Sequence, residues 1–232
     1  MFSYYGSKSK VVQYYPPPKH GTIIEPFGGS GRYALRYFEN EVILNDKYEV
    51  VYRIWVFLQQ CSPGDILSLP NLKQGDKIDR SSFDCIEMAW LMGFMIARGK
   101  IRPDLTVSPW GETELQRSKK RIAENLYKIK HWKFTNTDYA DLPNRVATWF
   151  IDSPYRTGGH KYVCSGRHID FKELAFYCQE RWGQTIVCEN YGADWLPFTS
   201  LKHMNTLTRM THEGVWLNEL LPNTRAQLRM AI

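Results

Sequence analysis

Apolar residues run along this chain in two rhythms. Short runs recur at Ile23-Ile24, Val42-Ile43-Leu44, Trp132 to Thr135, Ala147 to Ile151 and Thr185 to Cys188, and each is followed by polar or glycine residues. Such runs predict buried strands. Between them, apolar positions return at helical spacing in Tyr33-Ala34-Leu35 with Tyr37-Phe38, Val50 to Leu58, Phe83 to Ile96 and Phe171 to Trp182. Glu112 to Lys130 reads as a more polar helix. Strand and helix in alternation predict an open α/β sheet of Rossmann-like type, with a closing strand inside Arg209 to Leu221. Tyr14-Tyr15-Pro16-Pro17-Pro18 stops any helix begun near Ser9, because consecutive prolines lack donors and favour extended chain. Pro63-Gly64 and Pro70 punctuate a segment that continues as a polar loop from Asn71 to Arg80.

The first strand ends in a feature that carries chemistry. Thr22 to Gly31 reads T-I-I-E-P-F-G-G-S-G, in which Glu25 closes the apolar run and Phe27, Gly28, Gly29 and Gly31 form a turn into the helix beginning near Arg32. Strand, glycine turn and helix build a nucleotide-type pocket. Asp46 follows the next apolar run, about twenty residues on, where a carboxylate can accept hydrogen bonds from ribose hydroxyls. Asp138 and Asp152 also stand at the carboxyl ends of predicted strands, the edge at which open α/β sheets bind ligands. The plain alternative is a carboxylate capping the turn that follows its strand.

Composition changes this picture in only a few respects. A hydrophobic content of 43% suits a substantial core, and a net charge of +6 with a pI near 9.0 favours a polyanionic partner. Basic residues gather with aromatics between Arg98 and Lys130, which suits a surface meeting phosphates and unstacked bases. For any single cation there, a solvated helix is the simpler explanation; as a region, it is the candidate DNA-facing surface. Arg98, Lys100, Arg102, Trp110, Arg117, Lys119 and Lys120 are its candidate contacts, joined by Lys161 in a loop that also holds His160 and Arg167. Five widely spaced cysteines without a C-x-x-C pair read as reduced thiols. The start, M-F-S-Y-Y-G-S-K-S-K, lacks the apolar core of a signal peptide, and no run approaches membrane-spanning length, so a cytoplasmic protein is expected. Cys164 near His160 and His168 shows no repeated ligand spacing, and no metal site is expected.

Asp152-Ser153-Pro154-Tyr155 is the most informative tetrapeptide. A strand-end carboxylate and the next carbonyl can accept from an exocyclic amine, while a tyrosine ring can stack on a planar base. With the Tyr4-Tyr5-Gly6-Ser7-Lys8 start, the F-G-G-S-G turn, Asp46 in L-N-D and Asp138 in T-D-Y, this ordered set resembles the Dam-like adenine-N6 DNA methyltransferases. Ser108-Pro109-Trp110-Gly111 resembles a turn in the insertion of that family, and Arg209 with Val215-Trp216 resembles its final strands.

The resemblance implies a catalytic domain of residues 1–59 and 131–232, with an inserted target-recognition region at 60–130. It implies that Tyr4 and Lys8 line the methionine end of S-adenosylmethionine, beside Glu25 and the turn from Phe27 through Gly28 and Gly29 to Gly31. Asp46 would take the ribose, Asp138 the cofactor's adenine amino group, and Tyr139 would cover that ring. Asp152, the Ser153 carbonyl, Pro154 and Tyr155 would hold an adenine flipped from double-stranded DNA. The family's usual D-P-P-Y is D-S-P-Y here, which removes the proline-imposed rigidity at Ser153. Rival readings are cytosine-N4 methylation, a non-catalytic DNA-binding module with the same fold, and a nicotinamide oxidoreductase, which leaves Asp152 to Tyr155 unexplained.

Overall fold

The apolar runs become strands. The computed structural model describes residues 1–164, 169–205 and 210–222. Its strands are β1 (Thr22–Glu25), β2 (Glu41–Asn45), β3 (Lys133–Thr135), β4 (Ala147–Ile151), β5 (Gly183–Asn190), β6 (Thr199–Asn205) and β7 (Met210–Leu220). They form one sheet in the order β3-β2-β1-β4-β5-β7-β6. Strands β3 to β5 in that order are parallel, and β7 runs antiparallel to both β5 and β6. Every residue of β4 is buried, as expected of an unbroken apolar run covered on both faces. The chain winds outward from β1 to β3, then returns to β4 on the other side of β1. That reversal opens a crevice beyond the carboxyl ends of β1 and β4, where ligands bind in open α/β sheets.

Helices cover both faces. On one side lie α1 (Arg32–Arg36), α2 (Glu49–Gln60), α3 (Pro63–Leu67), α4 (Ile86–Met95) and α5 (Gly111–Ala123); α6 (Phe171–Gln179) packs on a second cluster. Val51, Ile54, Trp55 and Leu58 form the buried stripe of α2 at the spacing of one helix face. Burying a side chain as large as Trp55 contributes on the order of 2–3 kcal/mol. Helix α4 is apolar nearly all round and accordingly buries Ala89 and Leu91 through Met95. Phe94 stacks on Phe2 at 5.6 Å and Phe2 lies 5.3 Å from Trp55, so the segment between α2 and β3 shares one core with the amino terminus and the sheet.

Several elements differ from the sequence expectations. Helix α3 appears where Pro63-Gly64 reads as a break, because Ser62 and Asp65 form a capping box and proline fits the first helical turn. Helix α5 stops at Ala123 instead of continuing to Lys130; the Asn125 side chain donates to the Arg121 carbonyl, and a 3-10 turn follows over Leu126–Ile129. Strand β6 had no apolar signal, since an edge strand with exposed Lys202 and His203 needs none. Arg167, His168 and Arg209 lie outside the described residues.

Candidate active site

The glycine turn lies against the end of β2. Gly28 donates to the Asn45 carbonyl at 2.7 Å, and a Cβ on Gly28 would stand 2.7 Å from Leu44 Cγ and 2.9 Å from that carbonyl oxygen. Only a residue without a side chain fits there. Gly29, at φ +46°, turns its amide toward Asp46 and donates to Oδ2 at 2.7 Å; Oδ1 accepts from the Tyr48 amide at 2.8 Å. Asp46 is thereby fixed between the turn and the start of α2. Burial pushes its carboxyl up to about 6 despite those two amides. Glu25, buried at the end of β1, accepts from the Ala34 amide at 2.6 Å, and burial pushes it up to about 8.

Asp138 behaves differently because it is more exposed. Burial raises its carboxyl, but the Lys47 ammonium at 2.6 Å and the Ala140 amide at 3.1 Å outweigh that and hold it below its ordinary value. The Tyr139 ring lies 5.2 Å from Phe27, so both aromatics stand beside the glycine turn.

Asp152 follows β4, directly beside β1 in the sheet. The Lys8 ammonium reaches its Oδ1 at 3.0 Å, lies 3.6 Å from Glu213 Oε1, and sits 4.2 Å from the centre of the Tyr155 ring. Burial pushes Asp152 up to about 6, Lys8 pulls it down, and Glu213 pushes it up again. Lys8 is held above its ordinary value because the two carboxylates outweigh its burial. Tyr155 donates its hydroxyl to Glu213, which also accepts from Tyr15 at 2.5 Å. Ser153 is buried, and its hydroxyl finds no hydrogen-bond partner among the described residues.

These elements converge on one cavity of about 310 Å³, bounded by Tyr4, Lys8, Glu25, the turn from Phe27 to Gly31, Asp46, Asp138, Tyr139, Asp152 and Pro154. All ten positions expected to bind the cofactor line it, together with two of the four in the tetrapeptide. Ser153 and Tyr155 lie outside the lining: Ser153 is packed inward, and Tyr155 faces Lys8 with its hydroxyl tied to Glu213. Tyr162 closes another side, donating to the Tyr5 carbonyl at 3.3 Å. Glu213, Tyr15 and Tyr162 escape sequence reading, since none sits in a recognisable motif and Glu213 meets Tyr15 across most of the chain.

The basic candidates divide. Arg102, Arg117, Lys120 and Lys161 are exposed, and Trp110 is 82% exposed at the start of α5. Arg98 is exposed yet bonded to Glu114, and Lys100 pairs with Asp104 at 2.9 Å. Lys119 corrects the expectation of a surface contact: it is buried, and its ammonium donates to Asn71 Oδ1 at 2.8 Å and to the Leu69 carbonyl. It falls among the buried residues of α5, a helix that packs against α3, so its charge serves the fold.

The strand order, with β7 reversed between β5 and β6, is the α/β topology of S-adenosylmethionine-dependent methyltransferases. No protein-family model matches the chain, and no curated protein matches it in sequence. Among solved structures, a conserved hypothetical protein from Streptococcus pyogenes aligns over 85% of this chain and 86% of that one, at 10% identity and a TM-score of 0.34. No helix among the described residues is long and apolar enough to cross a membrane.

Proposed function

We propose that this chain transfers a methyl group from S-adenosylmethionine to the N6 amino group of adenine in double-stranded DNA. The observation that carries the reading is that Asp152 lines the same cavity as the glycine turn and Asp46, on adjacent parallel strands. A donor pocket and an amine acceptor are thereby continuous.

The residues present fit the cofactor. The turn at Gly28 and Gly29 leaves backbone where a Cβ would collide, Asp46 offers carboxylate oxygens to ribose hydroxyls, and Asp138 offers an acceptor to an exocyclic amine beside Tyr139. A volume of about 310 Å³ falls at the lower end of the usual range for ligand clefts. When bound, S-adenosylmethionine supplies a methyl group on an electrophilic sulfonium. The chain's part is to hold and align an amino nitrogen, which is worth much of the barrier when the reacting atoms are fixed in near-attack geometry. Asp152 accepts from that amine and can take up the proton that the nitrogen must lose.

Adenine in duplex DNA is favoured over cytosine by the Dam-like order of motifs, in which aspartate stands first in the tetrapeptide. The exposed cations and Trp110 between residues 60 and 130 support a DNA-facing role for that region. Nucleoside analysis of DNA incubated with the protein and methyl-labelled cofactor tests the reading. N6-methyladenine is the expected product; N4-methylcytosine as the sole product, or unmodified DNA, would refute it.

A further inference from the structure

Glu213 belongs to no motif, yet its Oε1 stands at the centre of the polar cluster around Asp152. It lies on β7, opposite Asn190 of β5 and Lys202 of β6, and is 7% exposed. That single oxygen faces three donors: the hydroxyls of Tyr15 and Tyr155 and the ammonium of Lys8. Lys8 lies 3.0 Å from Asp152 and 3.6 Å from Glu213, and among the described residues no other cation pairs with either carboxylate, so the trio carries a formal excess of one negative charge.

This arrangement matters for the acceptor. With Asp152 as its only partner, Lys8 would form a neutral pair and direct its donors at the lone pairs an amine must use. A second carboxylate draws the ammonium between the two. The excess negative charge also complements the positive charge that builds on an amino nitrogen as it is alkylated, in a site where burial strengthens such an interaction. Tyr155 is fixed from two directions, its ring against Lys8 and its hydroxyl on Glu213. The other titratable groups whose charge reaches Asp152, Lys8 or the tyrosines are Cys188 and Glu189 of β5, Glu25 of β1, and Tyr162 after β4.

We infer that Glu213 is a positioning residue: by sharing the Lys8 ammonium and anchoring the Tyr155 and Tyr15 hydroxyls, it keeps an Asp152 lone pair available to the substrate's amino group. The inference rests on the methyl-transfer reading, and its test carries one readout that does not.

The full-length protein and its Glu213→Gln, Glu213→Asp and Tyr155→Phe variants are compared in three measurements. These are the Asp152 titration midpoint by carboxylate-labelled NMR, the pH profile of methyl transfer to duplex DNA, and cofactor affinity by calorimetry. Glu213→Gln removes a like charge, so the Asp152 midpoint and the acid limb of the rate profile both move to lower pH. Its kcat falls on the order of tenfold while cofactor Kd stays within about twofold. Glu213→Asp returns the midpoint toward the wild-type value, which a purely structural role would not do. Tyr155→Phe keeps the charge, leaves the midpoint in place and lowers kcat; it carries the test if Glu213→Gln does not fold. An unmoved midpoint in Glu213→Gln overturns the inference whatever the activity. A shifted midpoint in a protein that transfers no methyl group shows the charge coupling but overturns the methyl-transfer reading, and the assigned role with it.

Discussion

Glu25 and Asp152 show how the same side-chain chemistry is divided by environment. Glu25 is buried and Asp152 half-buried, and desolvation pushes both upward, but Asp152 has the Lys8 ammonium at 3.0 Å while Glu25 has the Ala34 amide. Asp152 titrates at about 6, so the acceptor is mostly ionised at neutral pH, and methyl transfer is expected to fall as pH drops through about 6. Glu25, at about 8 when folded against an ordinary value of 4.5, binds its proton more tightly in the folded state. Its contribution to stability is therefore complete below about 4.5 and is lost as pH rises through about 8. Glu25→Gln keeps an acceptor for Ala34 without the ionisation. The variant's Tm minus that of the wild type should grow steadily between pH 5 and pH 9; a difference independent of pH would contradict this assignment.

At the scale of elements, the apolar runs and the glycine turn were legible because each is local. Ile23-Ile24 and Ala147 to Ile151 are buried throughout, and Val42 and Leu44 are buried around a partly covered Ile43, so all three runs read as strands from composition alone. The turn from Phe27 to Gly31 and the carboxylates at strand ends follow from those strands. What could not be read is long-range: Tyr15 and Glu213 meet only because β7 enters between β5 and β6, a pairing that no local pattern encodes. Lys119 misled for a related reason, since a lysine looks solvent-facing until α3 and Asn71 are packed over it. The close approach of the turn to β2 yields a sharp expectation. Gly28→Ala must push its methyl into Leu44 and the Asn45 backbone, so it should destabilise the protein by about 1–3 kcal/mol, read as a fall in Tm, and weaken cofactor binding. Wild-type Tm and affinity would show that the turn can move away from β2.

Over the whole molecule, the charge balance of +6 gains meaning from where the cations stand. Arg102, Arg117, Lys120 and Lys161 are exposed, whereas Lys119 is spent on internal hydrogen bonds. If the first group meets DNA phosphates, each alanine substitution should lower DNA affinity about equally for all sequences and reduce the slope of log K against log salt by roughly one. Lys119→Ala should instead lower Tm and leave that slope alone, and titrations at several salt concentrations separate the two outcomes. The central claim is that the glycine turn and Asp152 form one methyl-transfer site for adenine. It is tested most directly by incubating wild-type protein and Asp152→Ala with methyl-labelled S-adenosylmethionine and an unmethylated duplex, then digesting the DNA to nucleosides. The account predicts label in N6-methyladenine for the wild type and a loss on the order of a hundredfold or more in the variant, with cofactor affinity retained; equal labelling by both proteins, or no labelled adenine from the wild type, would contradict it.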